Sequence, residues 1–116
     1  VYRQTVTATI ASGASLSGAC DLGNARLSAI SMPSSWTTAD LTFQASADGT
    51  TYQDLYASDN AGNDAEYLIG AGSARVITVP IADFAALRYL KVRSGTTGSA
   101  VSQGGDRTIT LITAVL

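Results

Sequence analysis

A chain of 116 residues is the ordinary size of one domain, enough for a single core and too short for two. Its net charge of -2, with seven basic residues scattered and never in a run, lacks the electrostatic footprint that nucleic-acid binding draws on. The absence of histidine removes the commonest general base, the usual zinc or copper ligand and the triads built on either.

Threonine and serine are abundant, there are 11 glycines, and glutamate occurs once, at Glu66. That mixture is poor for helices and suited to strands joined by tight turns. The 46% hydrophobic content is swollen by alanine, and with two Phe and one Trp the large core anchors are few. The single cysteine, Cys20, has no internal partner and is expected to be a small buried hydrophobe. No apolar run approaches the roughly 18 residues of a membrane helix. Residues 1–11 show no basic-then-apolar leader. We therefore expect a soluble chain without an export signal or membrane partner, its start at Val1 left by trimming or by processing of a longer precursor.

The opening segment Tyr2 to Ile10 alternates Gln4, Val6, Ala8 and Ile10 with Arg3, Thr5, Thr7 and Thr9, the period of a half-buried strand. Residues 12–18 turn the chain into a second strand over Leu16 to Leu22, and Gly23-Asn24 turns it again. Arg26 to Met32 is a third strand, stopped by Pro33. Leu41 to Ala47 alternates once more, and Asp48-Gly49 predicts a hairpin to a partner over Tyr52 to Tyr56. Residues 57–65 read as an exposed loop without periodicity. Short strands are expected over Glu66 to Ile69 and Arg75 to Val79, the second ended by Pro80. Asp83 to Ala86 suits one helical turn with Asp83 as its cap. Leu87 to Arg93 is a strand with Leu90 and Val92 on an apolar face and Tyr89, Lys91 and Arg93 on a wet one. Residues 94–106 are a Gly/Ser/Thr segment, and Arg107 to Val115 closes the chain. Because this last strand is apolar on both faces, it is expected at the centre of a sheet or under a neighbouring chain. Eight or so short strands with regular turn signals predict one all-β domain over residues 1–116, an antiparallel two-sheet β-sandwich of jelly-roll type.

Candidates for chemistry are sparse. Eight Asp and one Glu leave a two-carboxylate glycosidase formally open, but such enzymes need a deep cleft that this short chain has little material to build. We expect no enzyme, no catalytic residue, no cofactor and no metal. Asp59, Asn60, Asn63 and Asp64 are oxygen donors for Ca²⁺, but their spacing departs from the calcium-loop pattern and suits a solvated turn. Trp36, Tyr52, Tyr56, Tyr67 and Tyr89 are the candidates for sugar-stacking platforms, against a plain role at strand ends. Gly95, Gly104 and Gly105 lack the following helix and Lys-[ST] of a phosphate loop. The long segment 94–106 reads as a contact arm, since structureless loops of this length are uncommon unless they bind something.

Two stretches carry a resemblance. One runs from Met32-Pro33 through Trp36-Thr37, Leu41-Thr42-Phe43-Gln44, Asp48-Gly49 and Tyr52 to Asp54-Leu55-Tyr56, and the other from Asp83-Phe84-Ala85 through Leu87-Arg88-Tyr89-Leu90-Lys91-Val92-Arg93 to Ser94-Gly95. Together they resemble a group of small virion proteins of tailed bacteriophages and prophages. The Ser46-x-Asp48-Gly49-x-x-Tyr52 hairpin and the Arg88-to-Val92 strand are also similar to discoidin-type carbohydrate-binding jelly rolls. The resemblance implies a capsid decoration or cement protein on the virion surface, bound to the major capsid protein as a homo-oligomer. Its alternative is a carbohydrate-binding host-recognition module of a tail or head fibre. It implies no site residue.

Overall fold

The computed structural model of the protein describes residues 2–115. Among them ten strands form: β1 (Tyr2–Ile10), β2 (Cys20–Asp21), β3 (Arg26–Ser31), β4 (Leu41–Ser46), β5 (Gln53–Asp54), β6 (Tyr56–Ser58), β7 (Asp64–Glu66), β8 (Val76–Thr78), β9 (Tyr89–Ser94) and β10 (Arg107–Val115). A 3-10 turn spans Ile81–Phe84. Sheet order is β1-β10-β3-β8 in one layer and β2-β9-β4-β5 in the other, with β6-β7 a separate hairpin. The antiparallel pairs nest: β1 with β10, β2 with β9, β3 with β8, β4 with β5. The chain is thus a long ribbon rolled until β10 meets β3 and β9 meets β4, a β-sandwich with jelly-roll-like connectivity.

Period-two alternation supplies the core. Ala8, Ile10, Leu27, Ile30, Ile109 and Leu111 face inward from the first sheet, and Cys20, Leu41, Phe43, Leu90 and Val92 from the second, all buried. The aromatic anchors meet in one place, where Phe43, Phe84 and Tyr67 pack edge-to-face with centroids 5.2 to 6.2 Å apart. The 3-10 turn brings Phe84 there. Asp83 does not cap it: the residue before the turn is Pro80, with no side-chain cap, and the Asp83 carboxylate instead accepts the Tyr67 hydroxyl at 2.7 Å.

The second strand is interrupted. From Ser15 to Leu22 the chain follows β9, but the Ser17 hydroxyl takes the Val92 N–H at 2.9 Å, and only Cys20–Asp21 keeps regular pairing. Residues 57–65 are not all loop, since Tyr56, Ala57 and Ser58 pair with Glu66, Ala65 and Asp64. This hairpin is exposed on both sides, so no alternation marks it. The Asp48-Gly49 signal does reverse the chain, through a wider loop between Ser46 and Gln53. Gly49 has φ +80°, and an added Cβ there would lie 3.1 Å from the Tyr89 ring.

Segment 94–106 is a pinned loop rather than a free arm. Gly95 N–H binds Asp40 O, Val101 N–H binds Ser94 O, and Gln103 N–H binds Ala14 O. At Gly95 (φ +87°) a Cβ would lie 2.5 Å from Ser99 O, so the fold-back requires glycine. Gln103 is 1% exposed, and its side chain uses both ends of its amide. Oε1 accepts from Thr37 N–H and Arg107 Nε, while Nε2 donates to Thr37 O and the Ser94 hydroxyl. Replacing this amide strands several buried partners at once. We expect Gln103→Leu to cost about 2–3 kcal/mol in urea unfolding, against less than about 0.5 kcal/mol for the neighbouring exposed Ser102→Ala.

Candidate docking surface

The two outer faces of the sandwich differ in chemistry. Across the first sheet the register sets Thr5, Ile112, Ala29 and Thr78 in one row, Thr7, Thr110, Ser31 and Val76 in the next, and Thr9 beside Thr108. None of these ten side chains is charged, and Arg3 and Arg26 flank the face only at its Ala114 end. Val76 is 61% exposed, and the threonines of β1 and β8 are exposed as well. Depletion of charge, with apolar and hydroxyl groups in its place, is the compositional mark of the centre of a protein–protein contact. The rows are held flush by pairing on both sides of β10, whose own inner residues are buried.

The outer face of the second sheet carries charge. Gln44 pairs with Lys91 and Thr42 with Arg93. Arg93 was expected on a wet face, yet it is 7% exposed, because the β6–β7 hairpin and loop 95–99 close over it. Its guanidinium holds Asp54 at 2.6 Å and Glu66 at 3.3 Å and donates to the Thr97 hydroxyl at 2.8 Å. Thr97 in turn donates to Glu66. The group ties four chain segments together, with both carboxylates answered by one cation; it is a staple, not a reactive pair.

The sequence candidates separate accordingly. Trp36 is buried and donates to Ala39 O at 3.0 Å, closing one end of the core. Tyr67 is part of the aromatic cluster. Lys91 lies over the Tyr52 ring at 4.5 Å and Arg88 over Tyr89 at 4.9 Å, so both rings already hold cations. Tyr56 is 49% exposed, beside a concavity of about 380 Å³ lined also by Asp54, Leu55 and Leu87. Asp59 is engaged in its own turn, accepting from Ala61 and Asn63 N–H and from Asn63 Nδ2. Among the described residues no three His, Cys, Asp or Glu side chains gather as a metal site. Cys20 is buried, and desolvation pushes its thiol pKa up, which disfavours the reactive thiolate.

The neutral face escaped the sequence reading. Its signal was present in the Thr5-x-Thr7-x-Thr9 and Thr108-x-Thr110-x-Ile112 alternations, but only pairing places the two runs side by side.

An all-β sandwich with one charged outer face and one that is uncharged between its bordering arginines, its concavities shallow and open, is the class of protein these features define. No family model matches the chain, and no curated protein matches it. Among solved structures it is similar to the crystal structure of the SPBc2 prophage-derived protein YomS, at 16% identity and a TM-score of 0.54, over 97% of this chain and 95% of that one. The likeness shows a shared fold.

Several carboxylates sit below their ordinary range because hydrogen bonds favour the charged form. Asp48 falls to about 2, held by Thr51 and Thr50 N–H and the Ser46 hydroxyl. Asp54 is lowered chiefly by its bond to Arg93, and Asp21 by its bond to Arg88. Depressed carboxylates contribute stability that is fully present above the unfolded value near 4 and is lost as pH falls through the folded value. The urea midpoint should therefore be level above about pH 5 and fall between about pH 4 and pH 2. Asp48→Asn should flatten that fall, and an unchanged profile would remove Asp48 from the account.

Proposed function

We propose that the chain is a structural component of a bacteriophage virion, a capsid decoration or cement protein that adheres to the major capsid protein as a homo-oligomer and catalyses nothing. The observation that carries the reading is the threonine-rich outer face of β1, β10, β3 and β8, uncharged over three successive rows and bordered by Arg3 and Arg26 at one end. Such a face is built to lie against another surface without desolvating an ion, which is the expensive part of association. The fold likeness to a prophage-derived protein over nearly the whole chain supports the same origin, and the resemblance of its motifs to those of small virion proteins agrees with it. A cement protein needs a rigid body and an adhesive face. The Gln103 and Arg93 tethers supply the first.

A second reading, a carbohydrate-binding module for host recognition, is favoured by one feature. Tyr56 is an exposed ring beside a concavity that also presents Gln53 and Asp54, and an aromatic plane with flanking polar groups suits a sugar.

Capsids assembled without the protein separate the two readings. Purified protein added back should co-sediment with them. Ile112→Lys and Thr110→Lys, at half-buried positions of the face, should reduce binding at least tenfold while the thermal midpoint stays within about 4 °C. Binding untouched by both lysines, but abolished by Tyr56→Ala together with a glycan-array signal, would transfer the function to the tyrosine side.

A further inference from the structure

Sheet edges are open templates for strand pairing, and folded proteins blunt them by shortness, proline or charge. Three of the four edges of the two sandwich sheets follow that habit: β2 and β5 have two residues each, and β8 has three and is followed within two residues by Pro80. The fourth, β1, is nine residues long, contains no proline and pairs with β10 without a bulge. Its far half is covered, since Ala8 and Ile10 are buried and the Cys20 thiol reaches Thr7 O at 3.6 Å. Its near half is open: Tyr2, Arg3, Gln4 and Thr5 are exposed, and Val6 is half-buried. Tyr2 and Gln4 share the inward parity of Ala8 and Ile10 yet remain exposed, so this half of the strand extends past the core. It borders a concavity of about 570 Å³ lined by Tyr2, Arg3, Gln4, Thr5 and Ile112. Cys20 belongs to the matching edge strand of the opposite sheet, so the Thr7 carbonyl it reaches lies on the side away from β10. By the two-residue period the main-chain groups of Arg3 and Thr5 lie there too.

We propose that the free edge of β1 over Tyr2–Val6 pairs antiparallel with the same segment of a second copy of this chain, about a two-fold axis at Gln4. The inference rests on the oligomeric virion reading for its setting, and adds the contact through which copies meet. Self-pairing about Gln4 sets Tyr2 opposite Val6, Arg3 opposite Thr5, and Gln4 opposite itself. Tyr2, 64% exposed, then covers a half-buried valine. A Gln amide both donates and accepts, so two of them satisfy each other across the axis. No directly opposed pair carries like charges, whereas parallel pairing would set Arg3 beside Arg3. Side-chain parity is preserved, so the outer faces of the two copies join into one surface, with an Arg3 of each copy at the seam and the uncharged threonine rows on either side of it. The contact is isologous and closes at two copies, without open-ended growth. Five residues a side bury roughly 300–500 Å² in total, well under the 1,200 Å² or so of a stable dimer. Free chains therefore associate weakly, and the contact becomes persistent when a larger lattice holds copies side by side.

Gln4→Cys tests this in the full chain, because opposed strand residues lie about 5 Å apart at Cα, within disulfide reach. Mild oxidation should make a disulfide-linked dimer the main product. Val76→Cys, also at an exposed position but on the opposite edge strand, should yield at least tenfold less, and the native chain with its buried Cys20 should yield none. The native chain should show a concentration-dependent dimer in sedimentation equilibrium near 1 mM, and Gln4→Lys, which sets two cations on the axis, should abolish it with an unchanged thermal midpoint. Equal cross-linking at positions 4 and 76, a native chain monomeric at that concentration, or a dimer indifferent to Gln4→Lys would each overturn the proposal. Capsid binding by a chain that fails these tests sinks the edge contact alone. A dimer that ignores capsids sinks the virion reading and keeps the contact.

Discussion

The antiparallel pairing of β10 between β1 and β3 is the constraint on which the rest of the molecule depends. It joins the two ends of the described chain along the whole of β1 and closes the ribbon from which both sheets are rolled. It also gives the strand two environments at once. Ile109 and Leu111 point into the core and are fully buried, while Thr108, Thr110 and Ile112 point outward among uncharged neighbours. A strand flanked on both sides cannot tilt or slip without exposing its inner row, so the outer row is held flat by what the inner row buries.

A core with so few large side chains leaves little margin, and two polar groups make up part of the difference. Gln103 joins the loop before β10 to Thr37 and to the end of β9. Arg93 joins β9 to β5, β7 and loop 95–99. Each is nearly excluded from water and fully answered by partners, the condition under which buried polar groups order a structure rather than weaken it. Both ties meet at the end of β9, where Gln103 holds Ser94 and Arg93 lies beside it, and they fasten the loops there to the sheets.

The proposed adhesion rests on an asymmetry of charge. The outer side of the second sheet holds ions, either paired as Arg93 is or stacked on tyrosines as Lys91 and Arg88 are. On the outer side of the first sheet the threonine-rich rows hold none, with Arg3 and Arg26 only at their border, and approach to those rows requires only the release of water from hydroxyl and methyl groups. The open half of β1 lies at the border of that face, so an edge contact and a face contact can be made by one molecule without competing.

How much of this the chain announces in advance can be judged element by element. The strict alternation in Tyr2–Ile10 and Arg107–Val115 placed both strands to the residue, and the apolar character of both faces of the last strand marked it as central. Composition alone set the all-β class, since abundant Thr, Ser and Gly with a single Glu have no stable helix to form. The β6–β7 hairpin was illegible, because a hairpin exposed on both sides has no reason to alternate. The burial of Arg93 and Gln103 was equally hidden: a polar side chain is buried by partners distant in sequence, and Gln103 meets Thr37 66 residues away. The charge-free face was decided by register as well, for neither Thr-rich run is unusual alone. Local pattern determines which residues make a strand and which way they point, while the surface those strands compose is set by long-range pairing, which a linear period does not encode.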